Sequence, residues 1–260
     1  PEVTSKGRAA RPSVALPDLV IPVKPTEDGC TELRYALRSV VAHAEGLYRK
    51  VWIVGVGLPE WLTNVGIIEA QGQGRVGDVR AKITAAANDK RVASRFVLMA
   101  DDTFLVEPIT EWRAYHMGPF SEYLVRLANL PVPRTRANSS WVRTICATAD
   151  WMAEQGHGDI LTRQGHRPVL WDKKKLAAAL AAYPTDRALD VVGLYDLAGA
   201  GVEGGRAKNS KITVADDFLA RLAERDSPWM SSNERSFREG MVGGYIRGMF
   251  RDPSPYEREV

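Results

Sequence analysis

The chain has 260 residues, of which 45% are hydrophobic and 26% are charged, and its formal net charge at pH 7 is +3. This composition is typical of a globular protein with one large or two smaller domains. No apolar run approaches the length of a membrane span and the start lacks the apolar segment of a signal peptide, so we expect a cytoplasmic protein. Two cysteines exclude a disulfide framework and a zinc cluster. The mildly basic charge favours an anionic ligand.

The first sixty residues predict a tail followed by a β-α-β unit. Residues 1–17 are polar and basic without apolar periodicity, which predicts a flexible tail. Apolar runs predict strands at residues 18–23 and 50–57, and helical spacing of apolar residues predicts a helix at residues 32–44 between them. This order predicts a parallel sheet with a crevice at the carboxyl ends of its strands.

The next segment places two cations close to that crevice. A short strand at residues 65–70 and a Gln/Gly-rich loop at residues 71–77 precede a helix predicted at residues 78–88. Arg80 and Lys82 fall near the predicted amino end of this helix, where cations oppose the helix dipole. A bound diphosphate would compensate their charge; the alternative is that both side chains are simply solvated.

A buried strand that ends in two carboxylates follows. Residues 96–99 are apolar, Asp101 and Asp102 come next, and apolar residues resume after Thr103. Strands disfavour Asp, so two adjacent acids at a strand end suggest that a cation is bound there. Oxygen ligands suit Mg²⁺ or Mn²⁺, which complete their coordination with water and substrate phosphates. The alternative is a solvated acidic turn.

The second half of the chain is predicted more coarsely. Residues 111–118 and 129–140 have the composition of loops, and their aromatic and basic residues suit an acceptor site as well as they suit core packing. We predict helices at residues 142–155, 171–183, 216–224 and 239–250, strands at 190–197 and 212–214, and a flexible glycine-rich loop at 199–205.

Several motifs occur in an order that resembles GT-A type glycosyltransferases, and more narrowly the phage and bacterial enzymes related to Stealth-type capsular polysaccharide sugar-phosphate transferases. The resemblance covers roughly residues 18–257. The motifs are residues 32–40, 52–54, 59–62, the pair Arg80 and Lys82, residues 96–104, 165–168, 231–237 and 253–257. The fold class that we predict is therefore α/β: a GT-A, Rossmann-like, mainly parallel sheet flanked by helices.

The resemblance implies a nucleotide-sugar donor bound across the carboxyl ends of the sheet, with a divalent metal, Mn²⁺ or Mg²⁺, bridging its diphosphate. Asp102 matches the last acid of the Asp-x-Asp motif and is the first candidate metal ligand. The first acid of that motif is replaced by Ala100, so Asp101 would have to substitute for it in part. His166 is the candidate additional ligand, because enzymes of this type often recruit a late histidine.

The remaining site candidates come from the resemblance and from the composition of the predicted loops. The donor-binding candidates are Pro22, Lys24, Arg34, Arg38, Arg80, Lys82 and Asp101, and the acceptor candidates are Trp112, His116 and Arg143. Glu234 is the candidate catalytic base for an inverting reaction, and the alternative for it is a role in capping a helix. We expect a domain over residues 18–226 and a C-terminal arm over residues 227–260 that completes the active site.

The leading hypothesis is a metal-dependent glycosyltransferase, phage-encoded and acting in the host cytoplasm. Its acceptor would be a hydroxylated DNA base, a virion protein or a glycan. A second hypothesis is transfer of a sugar 1-phosphate in the manner of the Stealth enzymes. A third is a nucleic-acid-binding module without catalysis, which predicts duplex binding with a steep salt dependence and no donor requirement.

Overall fold

The computed structural model describes residues 15–130, 135, 137–159, 161–162, 166–182, 184, 190 and 204–259. Most of the predicted tail (1–17), of the predicted strand at 190–197 and of the glycine-rich loop at 199–205 lies outside the described residues. None of the described helices combines the length and the apolar composition that a membrane crossing requires.

Nine strands and eight helices are defined within the described residues. The strands are β1 (Asp18–Pro22), β2 (Val51–Val54), β3 (Gly66–Ile68), β4 (Arg95–Leu98), β5 (Thr103–Leu105), β6 (Ala114–His116), β7 (Val169–Asp172), β8 (Gly204–Arg206) and β9 (Trp229–Ser231). The helices are α1 (Thr31–His43), α2 (Gly74–Asn88), α3 (Phe120–Ala128), α4 (Ser140–Glu154), α5 (Lys173–Ala181), α6 (Phe218–Ala223), α7 (Glu234–Glu239) and α8 (Met241–Met249).

The central sheet has five strands in the order β3-β2-β1-β4-β7. The first four strands run parallel, and β7 pairs antiparallel with β4. This is a mainly parallel sheet flanked by helices, and it confirms the predicted α/β, Rossmann-like fold class. Two smaller pairs lie outside it, an antiparallel pair of β5 with β9 and a parallel pair of β6 with β8.

Helices cover both faces of the sheet, which explains why its inner strands are almost continuously apolar. Side chains of successive strand residues point to opposite faces. Leu19 and Ile21 therefore pack in one core cluster with the apolar face of α1, whereas Val20 packs in a second cluster with Ile83 of α2 and Leu176 of α5. The sheet is thus the middle layer of three.

Several predictions of helices and strands were wrong. In each case a contact with another part of the chain determined the structure, and not the local sequence pattern. Helix α2 begins at Gly74, inside the predicted loop, and Asp78 accepts a hydrogen bond from the Gly72 amide (3.1 Å). The predicted helix from residue 171 begins instead at Lys173, because Trp171 belongs to β7 and is fully buried against Phe96 of β4.

Pairing between distant segments also determines the structure after residue 204 and in the strands that pair with it. Strand β9 forms in the predicted arm, for which only a helix at residues 239–250 was predicted, because β9 pairs with β5. Residues 212–214 form no strand; Lys211 makes an isolated bridge to Ser231 and a turn follows. Residues 114–116, expected in a loop, pair as β6 with β8.

The end of the chain is held against α1. The Glu257 carboxylate accepts two hydrogen bonds from the Arg38 guanidinium (2.8 and 2.6 Å) and lies 3.5 Å from Arg34. Arg38 also donates to the backbone carbonyls of Phe250 and Arg251 (both 3.1 Å). Burial alone would raise the pKa of Glu257, but its hydrogen bonds outweigh that effect and lower the pKa below its ordinary value. The C-terminal segment is therefore tied to α1 by several hydrogen bonds.

A buried carboxylate joins three segments at the amino edge of the sheet. Asp18 is fully buried and accepts two hydrogen bonds from Arg49 (2.8 and 2.7 Å), one from the Trp52 indole (2.8 Å) and one from the Ala93 amide (2.7 Å). Burial alone would raise the pKa of Asp18, but the four hydrogen bonds outweigh it and hold the pKa below its ordinary value. One side chain thus links β1, β2 and the turn that precedes β4.

We expect Asp18→Asn to lower the free energy of unfolding by about 2–4 kcal/mol, because an amide group cannot accept all four hydrogen bonds and turns an NH₂ group toward buried donors. Urea unfolding followed by fluorescence measures the loss. Glu111→Gln is the matched control, since it removes an exposed ion pair with Arg113 (2.8 Å) and should leave the midpoint unchanged. Equal losses in both variants would contradict the assignment.

The same carboxylate predicts a pH dependence of stability. The pKa of Asp18 is lower in the folded chain than in the unfolded chain, so the unfolded state takes up its proton first as the pH falls. The stabilisation is complete above the unfolded pKa of about 3.9 and is lost as the pH falls through the folded pKa. Below pH 5 the free energy of unfolding should therefore fall less steeply with decreasing pH in Asp18→Asn than in the wild type. Parallel curves would refute this role.

Candidate functional site

The carboxyl edge of the parallel sheet brings three carboxylates together. After β1 the chain turns into α1, whose first turn contains Glu32. After β4 it makes a tight turn, in which the Thr103 amide bonds the Ala100 carbonyl (3.2 Å), and this turn presents Asp101 and Asp102. Strands β1 and β4 are neighbours, so the acids following them share one edge. In open α/β sheets this edge is where ligands bind.

Asp102 is held by residues from the C-terminal half of the chain. Its Oδ2 lies 3.0 Å from Lys211 Nζ, and its Oδ1 accepts a longer hydrogen bond from the Ser231 hydroxyl (3.3 Å). The Ser232 amide donates to the Asp102 carbonyl (3.0 Å), which continues the pairing of β5 with β9. The predicted arm therefore does contact this acid, through β9.

Glu32 is the residue that sequence reasoning missed. Its carboxylate accepts a hydrogen bond from the Ser232 hydroxyl. Burial raises the pKa of Glu32 to about 7 and the charge of Asp102 adds to this, whereas the Ser232 hydrogen bond and the charge of Lys211 oppose it. The sequence signal that could have found it was an acid in the first turn of the helix that follows β1, next to the carboxyl edge of the sheet.

Asp101 experiences the same crowding of negative charge. The residue follows β4 at the carboxyl edge of the sheet and is partly exposed to solvent. Desolvation raises the pKa of Asp101 to about 8, and the charges of Asp102 and Glu32 contribute. Carboxylates perturbed together in a cleft are characteristic of functional sites.

Lys82 lies close to the end of β1, and the carboxylate of Asp78 compensates its charge. It lies in the third turn of α2 and is buried, with Nζ 2.5 Å from Asp78 and 2.8 Å from the Val23 carbonyl that follows β1. The helix begins four residues earlier than predicted, so neither Lys82 nor Arg80 lies in its first turn. The dipole argument for a compensating diphosphate was therefore wrong.

The other donor-binding candidates are distributed around the same edge and on α1. Pro22 ends β1, and Lys24 is exposed next to it, close enough to Asp78 to lower the pKa of that acid. Arg80 donates a long hydrogen bond to the Pro184 carbonyl (3.4 Å) among its contacts. Arg34 and Arg38 lie one turn apart on α1, and both contact Glu257. Their donor-binding role stays a prediction.

The two candidate metal ligands differ in position. Asp102 is at the edge of the sheet, with both carboxylate oxygens engaged by Lys211 and Ser231. His166 has a left-handed backbone (φ 51°) next to Arg167, which is buried and bonded to Ser210 (2.8 Å). Among the described residues, no three His, Cys, Asp or Glu side chains are arranged to hold a metal ion. The Asp102 carboxylate therefore offers a divalent metal fewer free lone pairs than an unpaired acid would.

Glu234 lies in the first turn of α7 with about half of its side chain exposed, 3.5 Å from Arg238 one turn later. The helix start is indeed capped, but by Asn233 and Ser236, which bond each other's backbone amides (2.8 and 2.9 Å). Its role as a base stays a prediction.

The acceptor candidates lie on three elements. Trp112 donates to the Leu47 carbonyl (2.7 Å) and stacks on Trp229 at 5.9 Å between ring centroids. Both indoles line a cavity of about 260 Å³. His116 belongs to β6, where its Nδ1 accepts from the Gly118 amide (3.1 Å), and Arg143 is exposed on α4. Strand β9 connects Trp229 of this cavity to Ser231 beside Asp102.

Comparisons with known proteins identify no family for this chain. No protein-family model matches it, and no curated protein sequence does. Among solved structures it is similar to a 4-diphosphocytidyl-2C-methyl-D-erythritol synthase, with a TM-score of 0.40 and 16% identity over 81% of this chain and 99% of that chain. It is also similar to the 2-C-methyl-D-erythritol 4-phosphate cytidylyltransferase from Thermus thermophilus, with a TM-score of 0.32 and 14% identity over 75% and 89% of the two chains. At these values neither similarity bears on activity.

Proposed function

We propose that this chain is a glycosyltransferase that binds a nucleoside diphosphate sugar at the carboxyl edge of its central sheet and transfers the sugar to a hydroxyl of a macromolecular acceptor. The observation that carries the proposal is the convergence of Glu32, Asp101 and Asp102 with Lys211 at the end of β1 and β4. Acids and a cation grouped at this edge suit a polar, charged ligand.

The sugar part of the proposal rests on the order of motifs, which resembles GT-A type glycosyltransferases. The roles proposed for the charged residues rest on the geometry of the cluster. A diphosphate leaving group develops negative charge as its bond to the sugar breaks, and a positioned cation stabilises that charge. A carboxylate close by can accept the proton of the attacking hydroxyl. The cluster contains both kinds of group within one hydrogen-bonded set, linked by Ser231 and Ser232.

Glu32 is better placed than Glu234 to act as the base. Its carboxyl belongs to the same cluster as Asp102 through Ser232, whereas Glu234 shares an exposed helix surface with Arg238. Metal dependence, a phage origin and the identity of the acceptor stay predictions from the sequence, as does the division into a domain and an arm.

We expect one class of nucleoside diphosphate sugar to raise the melting temperature of the chain in a thermal-shift panel, because a ligand that binds only the folded state stabilises it. Asp102→Asn should reduce the shift, since it removes the carboxylate that positions Lys211 and the Ser231 hydroxyl. The matched control is Glu239→Gln, on an exposed surface of α7. A chain that responds to no nucleotide sugar but binds duplex DNA with a steep salt dependence would contradict the proposal.

Replacing the two candidate bases separately decides between them. Glu32→Gln should lower the rate of donor hydrolysis by about 10²–10⁴-fold while nucleotide affinity stays close to that of the wild type, because only proton transfer is lost. Glu234→Gln should retain the wild-type rate. Turnover is measured by release of nucleoside diphosphate and affinity by calorimetry. The opposite ranking of the two variants would restore Glu234 as the base.

A further inference from the structure

Lys211 places an ammonium group directly against the acid that was expected to bind a metal. Its Nζ is 3.0 Å from Asp102 Oδ2, and only about a fifth of each side chain is exposed. An ion pair so far removed from water is screened much less than one on the surface. The charge of Lys211 also acts on Glu32, where it opposes the rise in pKa that burial causes. The ammonium therefore contacts one of the three clustered carboxylates, Asp102, and its charge acts on a second, Glu32.

The backbone of Lys211 is fixed on both sides, so this position is built into the fold. Its amide donates to Asn209 (3.0 Å) and its carbonyl accepts from Arg221 (3.1 Å). It forms a bridge with Ser231, and the next amide, of Ile212, donates to the Ser231 carbonyl (2.7 Å). Lys211 is thus tied to the strand that supplies Ser231 to the same carboxylate.

The carboxylate that matches the metal-binding motif is already engaged by other groups of the chain. Ala100 stands where the resemblance places the first acid, so one carboxylate is missing. The oxygens of Asp102 already interact with Lys211 and Ser231. A lysine ammonium has three donors, of which one is directed at Asp102, so two can reach phosphate oxygens.

We propose that Lys211 supplies the positive charge that binds the donor diphosphate in this site, in place of a divalent metal. This inference rests on the proposed function, since it assumes a nucleoside diphosphate sugar as the donor. Asp102 is then a positioning residue that holds the ammonium, and donor binding does not require metal.

The transfer step balances without a metal. The acceptor hydroxyl oxygen forms a bond to the anomeric carbon and its proton passes to Glu32. The bond from that carbon to the diphosphate oxygen breaks, and the electron pair leaves with the nucleoside diphosphate. Lys211 offsets the negative charge that appears on the leaving oxygen.

Calorimetric titration of the full chain with ADP, CDP, GDP, UDP and dTDP, each in EDTA and each with Mn²⁺, tests this inference. We expect one nucleotide to bind in EDTA, with little change when Mn²⁺ is present. Lys211→Met should weaken that binding about 10- to 100-fold, as expected for loss of a charged hydrogen-bond donor. Lys211→Arg, which retains the charge, should recover most of the affinity.

Lys208→Met is the matched control, because Lys208 lies three residues earlier with an exposed ammonium 3.3 Å from Glu224 and should not affect binding. Circular dichroism of each variant verifies folding. Binding that appears only with Mn²⁺ would overturn the role of Lys211 while leaving the proposed function intact. Unchanged affinity in folded Lys211→Met would also overturn it. Absence of binding to every nucleotide under both conditions would overturn the proposed function and this inference together.

Discussion

The buried carboxylate of Asp18 is the constraint on which the geometry of the sheet depends. It is fully buried yet accepts four hydrogen bonds, from Arg49 and Trp52 around the start of β2 and from Ala93 before β4. Such a group is costly to bury unless every acceptor position is used, so the three segments meet in one arrangement. Parallel strands of four or five residues rise about 3.3 Å per residue, which carries this register roughly 15 Å to the opposite edge. The turns that present Glu32 and Asp102 start from there.

At the carboxyl edge of the sheet the pKa values of buried carboxylates shift in the opposite direction. Asp18 is surrounded by donors and its pKa falls, whereas burial, together with the charges of neighbouring acids, raises the pKa values of Asp101 and Glu32 to about 8 and 7. Each raised pKa means that the ionised form is less stable in the folded chain than in the unfolded chain. Carboxylates arranged in this way reduce stability, and a fold tolerates that cost where a ligand or a proton transfer uses the charge.

Local sequence signals predicted the sheet well and the site only in part. The strands β1, β2 and β4 and the helix α1 were predicted within a few residues, because apolar spacing and flanking turns are local properties. Strands β7 and β9 were missed, since Trp171 and Ser231 adopt extended structure only through pairing with distant strands. The pairing of Lys211 with Asp102 joins residues 109 positions apart, and no spacing rule anticipates it. The pair Asp78 and Lys82 was an available i, i+4 signal, and it would have shown that Lys82 needs no external anion.

The pairing of β9 with β5 also gives the predicted acceptor residue Trp112 a definite relation to the acidic cluster. Trp229 and Ser231 are two residues apart on β9, so their side chains point to the same side of the strand, about 7 Å apart. Trp229 stacks on Trp112 at the wall of the cavity, and Ser231 touches Asp102 and forms a bridge with Lys211. A displacement of β9 by a ligand in the cavity would therefore move groups that contact Asp102.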